Sequence, residues 1–202
     1  MYTRDYKIFA PGEFYHVYNR GNHKQDIFLD DGDYAFFVLR LKQNLYSDKF
    51  DELKIQALPP NSFSLVSYCL MPNHFHLLIR QNSEIPVSKF MLKLCSSYAK
   101  VFNKKHEFVG HLFQDQFKQV AVSEDEYLKW LVAYICQNPT VAGLVKTPSE
   151  YKLSSYNEHV NRRPVSRVCD EKIVESCLEN KAFLNLLNPL TKLLKKVSWL
   201  KK

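Results

Sequence analysis

An α+β fold is predicted for this 202-residue chain, with one antiparallel sheet and helices on one face. Three observations predict it. Short aromatic and β-branched runs recur between polar turns, which is strand composition. Apolar residues return at helical spacing in the longer segments between them. The elements then follow as strand, helix, strand, strand, helix, strand, the split β-α-β-β-α-β arrangement.

Phe14-Tyr15-His16-Val17-Tyr18-Asn19 reads as the first strand, and Arg20-Gly21-Asn22-His23 as the turn after it. Asp31 to Tyr46 carries Tyr34, Phe37, Val38, Leu41 and Leu45 at helical spacing. Asp30, Asp31 and Asp33 lie at its N-terminal end, where the helix dipole favours acids. Residues 47–62 are polar and end in Leu58-Pro59-Pro60-Asn61, a loop. Ser62 to Leu70 and His74 to Arg80 are strands two and three, and Met71-Pro72-Asn73 between them is short enough for a hairpin. Pro86 to Lys104 is a second helix, with Val87, Phe90, Met91, Leu94, Tyr98, Val101 and Phe102. Phe117 to Val122 alternates as the fourth strand. Ser123 and Glu126 make a capping box for a third helix through Tyr127, Leu128, Leu131, Tyr134 and Ile135. Pro139 is expected to stop that helix. The series predicts a ferredoxin-like or RRM-like sheet in a main domain of residues 1–160. Residues 161–202 form an appendage with a helix near 170–187.

Composition narrows the classes. No apolar run approaches the ~20 residues that span a bilayer. Met1 to Lys7 has no apolar signal core, so a cytoplasmic protein without membrane contact is expected. The cysteines (Cys69, Cys95, Cys136, Cys169 and Cys177) are odd in number, scattered and without a C-x-x-C pair. That argues against a disulfide framework and a cysteine zinc centre. Of the net charge of +7, residues 190–202 hold +5, and residues 80–118 carry a local +4. Arg20, Arg80, Lys89, Lys93, Lys100, Lys104 and Lys105 are candidates to meet phosphates, with a solvated surface as the plain alternative.

The segment His74-Phe75-His76 carries the chemistry. On a strand the two imidazoles share one face, which makes half of a metal site. Tyr134 and Asn138, four apart, share one face of the third helix. Packed on the histidine side, Asn138 would offer a carbonyl oxygen and Tyr134 a phenol beside the ion. Gln137 is a second candidate amide, and Tyr127, two helical turns back, a rival phenol. His16 reads as a structural sheet residue; His23, His106, His111 and His159 have no evident partners.

With Tyr134-Ile135-Cys136-Gln137-Asn138-Pro139 placed 58 residues after His76, the pattern resembles the HUH single-tyrosine transposases. More narrowly, it resembles the REP-associated tyrosine transposases. Tyr15-His16-Val17-Tyr18-Asn19-Arg20-Gly21, Met71-Pro72-Asn73-His74-Phe75-His76, Gly110-His111-Leu112-Phe113-Gln114, Asn138 to Val145 and Ser154-Ser155-Tyr156 extend the likeness over roughly residues 10–160. The resemblance implies an HUH nuclease fold and an enzyme that cuts and rejoins single-stranded DNA, at or beside hairpins. It implies His74 and His76 as ligands of Mg²⁺ or Mn²⁺, and Tyr134 as a nucleophile forming a covalent 5′-phosphotyrosine. Asn138 stands as third ligand where the insertion-sequence enzymes have glutamine. A homodimer and a monomer both remain open, and a nucleoid-associated location is implied. Gln116 departs from the basic residue common before the aromatic of the fourth strand. The alternative is a non-catalytic RRM-like nucleic-acid-binding protein, although no RNP sequence is present. A structural zinc site without cysteine fits poorly.

Overall fold

The computed structural model describes residues 10–53, 57–123, 125–161 and 168–177. In chain order the elements are β1 (Phe14–Arg20), α1 (Asp31–Leu45), β2 (Phe63–Met71), β3 (His74–Gln81), α2 (Val87–Lys105), β4 (Lys118–Val122) and α3 (Asp125–Val141). Two short helices follow, α4 (Tyr156–Asn161) and α5 (Glu171–Cys177). The four strands make one antiparallel sheet in the order β2-β3-β1-β4, the order a split β-α-β-β-α-β unit requires. The basic tail and the second half of the helix expected near 170–187 lie outside the described residues.

The sheet has two packed faces because its strands alternate. On one face Tyr15, Val17, Phe75, Leu77 and Ile79 join Phe37 and Leu41 of α1 and Phe90, Leu94 and Tyr98 of α2. On the other, Leu78 and Val122 join Leu128, Leu131, Val132, Ile135 and Cys136 of α3. The two helices of the split unit therefore share one face, and α3 covers the face that bears the histidines.

Local chemistry fixes the ends. Asp30 accepts the Asp33 N–H at 3.0 Å while Asp33 accepts the Leu29 N–H at 2.8 Å, so acids do cap α1. Met71 pairs with His74, which leaves Pro72 and Asn73 as a two-residue turn. The Pro72 carbonyl accepts from Ile27 and Phe28 at 2.7 and 3.1 Å, and the Asn73 carbonyl from Gly21 at 2.8 Å. Gly21 has no room for a side chain, since a Cβ there would lie 2.1 Å from the Gln25 carbonyl oxygen.

One expectation is corrected. Pro139 does not stop α3, which continues to Val141. Proline loses its own N–H and crowds the carbonyl one turn back, but this one sits in the last turn, where the following amides still bond backwards. The end comes at Gly143 (φ +79°). There the Leu144 N–H reaches the Pro139 carbonyl at 2.9 Å and the Gly143 N–H the Thr140 carbonyl at 3.1 Å, a Schellman cap. The expected start at Ser123 abuts residue 124, which is outside the described set.

The chain after α3 returns to the free edge of β2. Ser155 N–H donates to the Tyr68 carbonyl and Asp170 N–H to the Leu65 carbonyl, each at 2.9 Å. Val168 is fully buried in the α1/α2 core. Among the described residues no helix is long and apolar enough to cross a membrane.

Candidate active site

His74 and His76 project from β3 to the same face, with ring centroids 5.1 Å apart and planes nearly perpendicular. His74 Nδ1 lies 2.7 Å from Asn73 Oδ1, while the other end of that carboxamide donates to the Lys24 carbonyl at 3.2 Å. An amide oxygen only accepts, so the His74 proton sits on Nδ1 and the Nε2 lone pair is free. His76 Nδ1 lies 2.9 Å from His16 Nε2, and the two rings stack at 5.1 Å. Burial, with Arg20 adding to it, brings the His74 pKa down to about 4. Burial, then His16 and His74, push the His76 pKa well below its ordinary value. Both imidazoles are thus neutral near pH 7, the form that ligates metals.

α3 crosses above them. The Tyr134 ring meets the His76 ring edge-on, with centroids 5.9 Å apart. Tyr134 stacks on Trp130 at 5.5 Å, and Trp130 on Tyr127 at 5.8 Å, so three rings form a column along the helix. Tyr134 is the member beside His76; Tyr127 stands at the outer end of the column, partly exposed. Asn138 lies one turn beyond Tyr134. Burial raises the Tyr134 pKa, and the Asn138 carboxamide, acting through a hydrogen bond, lowers it by less. Asn138 Nδ2 is buried without a well-formed hydrogen bond. Gln137 is fully buried. Two neutral imidazoles side by side on one face are donors of the kind a divalent cation takes, and the carboxamide of Asn138 is on the helix that crosses that face.

A second group, Asp30, Asp33 and His106, meets the spacing a metal would need. Lys105 already fills it, with its ammonium 2.6 Å from Asp30 and 2.8 Å from Asp33. His106, which the sequence leaves without a partner, lies 3.0 Å from both Asp33 oxygens. The cluster ties the start of α1 to the end of α2 on the other side of the sheet.

Arg20 is the one expected cation brought to the histidines: it pairs with His74 across β1 and β3 and is exposed. Arg80 shares that face at its far end, over the Phe14 ring and bonded to the Gly12 carbonyl and Asn82. Lys89, Lys93, Lys100 and Lys104 ride on α2, across the sheet from the histidines. Lys118 was not singled out from sequence, yet it pairs with Tyr18 on the histidine face and is exposed. Its strand parity with Val122 was the available signal. His16, a structural sheet residue by its sequence, meets His76 at 2.9 Å.

Residues 39–138 match the sequence model described as transposase, IS200-like. A Haemophilus influenzae protein classed as a REP-associated tyrosine transposase is 26% identical over 156 residues, 69% of this chain and 87% of that protein. The structure of a REP-associated tyrosine transposase bound to a REP hairpin is similar in fold. It has a TM-score of 0.60 at 15% identity, over 84% of this chain and 93% of that one.

Proposed function

We propose that this chain, a member of the IS200-like transposase family, is a metal-dependent endonuclease and strand transferase for single-stranded DNA. The observation that carries the reading is the Tyr134 ring 5.9 Å from His76, with Asn138 one turn away on the same helix. His74, His76 and Asn138 would hold the ion. When bound, it supplies positive charge to a scissile phosphate and to the attacking oxygen. The solved relative is bound to a REP hairpin, which supports a DNA hairpin as the partner here.

The step itself belongs to Tyr134. Its phenol oxygen attacks phosphorus, the new O–P bond replaces the bond to the 3′ oxygen, and the phenolic proton is balanced by protonation of that leaving oxygen. The products are a 5′-phosphotyrosine and a free 3′-hydroxyl. A second 3′-hydroxyl reverses the step and joins strands without ATP. Burial keeps the Tyr134 phenol protonated at neutral pH, so a nearby cation is needed to favour the phenolate. Arg20 and Lys118 flank this face and would meet backbone phosphates, with the lysines of α2 as outlying contacts.

The test uses a labelled hairpin oligonucleotide with a single-stranded flank and the full chain. A covalent adduct that survives denaturation is expected with Mg²⁺ or Mn²⁺ and is lost with chelator. Tyr134→Phe abolishes it. An adduct of undiminished yield in that variant would move the nucleophile elsewhere, and undiminished yield in chelator would remove the metal.

A further inference from the structure

We infer that His16 is a positioning residue that accepts the His76 Nδ1 proton and so supports a cation on His76 Nε2. The inference rests on the proposed function only in taking His76 as a ligand. His16 lies outside residues 39–138, so the family match says nothing of it.

The geometry leaves two arrangements. A neutral imidazole has one N–H donor and one acceptor nitrogen. The 2.9 Å contact between His16 Nε2 and His76 Nδ1 therefore holds one proton between two nitrogens. If His76 Nδ1 carries it, His16 accepts, and His76 Nε2 keeps a lone pair for an ion. If His16 Nε2 carries it, the His76 proton sits on Nε2 and no lone pair is offered.

The two histidines thus have different supports. His74 Nδ1 faces an amide oxygen, which can only accept. His76 Nδ1 faces an imidazole, which can do either. An ion at His76 Nε2 selects the arrangement in which His16 accepts, and His16 in turn holds the ring plane by stacking at 21°. Tyr18 packs on both rings, at 5.2 Å from His16 and 5.7 Å from His76, and limits their rotation. Partners of this outer kind typically change metal affinity by about 10- to 100-fold.

The experiment reads the tautomer directly. ¹⁵N NMR of the full chain with Mg²⁺ is expected to show the His76 proton on Nδ1. His16→Leu, which removes the acceptor, weakens Mn²⁺ binding by about 10-fold or more in calorimetry. His16→Gln, whose amide oxygen accepts, restores most of it. A His76 proton on Nε2 in the Mg²⁺-loaded wild type overturns the inference, with no variant needed. Unchanged affinity in a folded His16→Leu overturns it too. A wild type that binds neither ion overturns the metal reading instead, and with it the purpose assigned to His16.

Discussion

At the scale of single residues, the phenol of Tyr134 is aimed by what it stacks on. The Trp130 ring lies nearly parallel to it at 5.5 Å and leaves one ring edge toward His76. Trp130→Leu is expected to slow adduct formation by about 10- to 100-fold with DNA affinity little changed, since small misplacements of a reacting group are costly. A rate within twofold of wild type would mean that something else sets the angle. His159 supplies a pH prediction. Burial holds its pKa at about 4, below the usual 6.5. Its contribution to stability is complete above about pH 6.5 and is lost as pH falls toward 4, because the unfolded chain takes up the proton first. The slope for one proton is about 1.4 kcal/mol per pH unit. His159→Gln should flatten the dependence of the urea midpoint on pH within that window by one proton's share. That His74 and His76 share a strand face, and Tyr134 and Asn138 a helix face, was legible because two short periods, of two and of 3.6, place them. His16 with His76, and His106 with Asp33, were not. They meet 60 and 73 residues apart, and only sheet register or helix docking brings such pairs together.

At the scale of elements, the strands and helices emerge within a residue or two of their expected bounds. Alternation and helical spacing are local properties, so the chain displays them. α3 is the exception, extended past Pro139 to a cap that only Gly143 signals. Gly143→Ala is expected to cost about 1 kcal/mol in denaturant unfolding. Nothing lies within 4 Å of a Cβ there, so the cost is conformational alone. Gly21→Ala should cost more, because its methyl would displace the backbone at Gln25 and disturb the turn beside Arg20. A smaller effect at Gly21 than at Gly143 would show that this turn yields freely. α3 also bears on the RRM-like alternative. A sheet that stacks bases needs an open face, and here α3 covers one and α1 with α2 the other.

At the scale of the molecule, the proposed ligands belong to two elements far apart in sequence, β3 and α3. An ion that joins them binds the folded chain and not the unfolded one. Mass action then adds about 2.7 kcal/mol of stability at an ion concentration 100 times its dissociation constant. Thermal melting should rise with Mn²⁺ over chelator in the wild type, and this rise should vanish in His76→Ala. An equal rise in both would place the binding elsewhere.

The closing of the β2 edge by residues 153–155 and 168–170 has a consequence for motion. β3 has a hydrogen-bonded strand on each side and a packed core over each face. Its amides should be among the last to exchange with deuterated water, near the rate of global unfolding. The first turn of α3, Asp125 to Tyr127, is exposed, and its amides should exchange sooner. The histidines ride on the part of the protein that opens last, and the nucleophile on a helix held from the sheet side and by Ile173 and Val174 of α5.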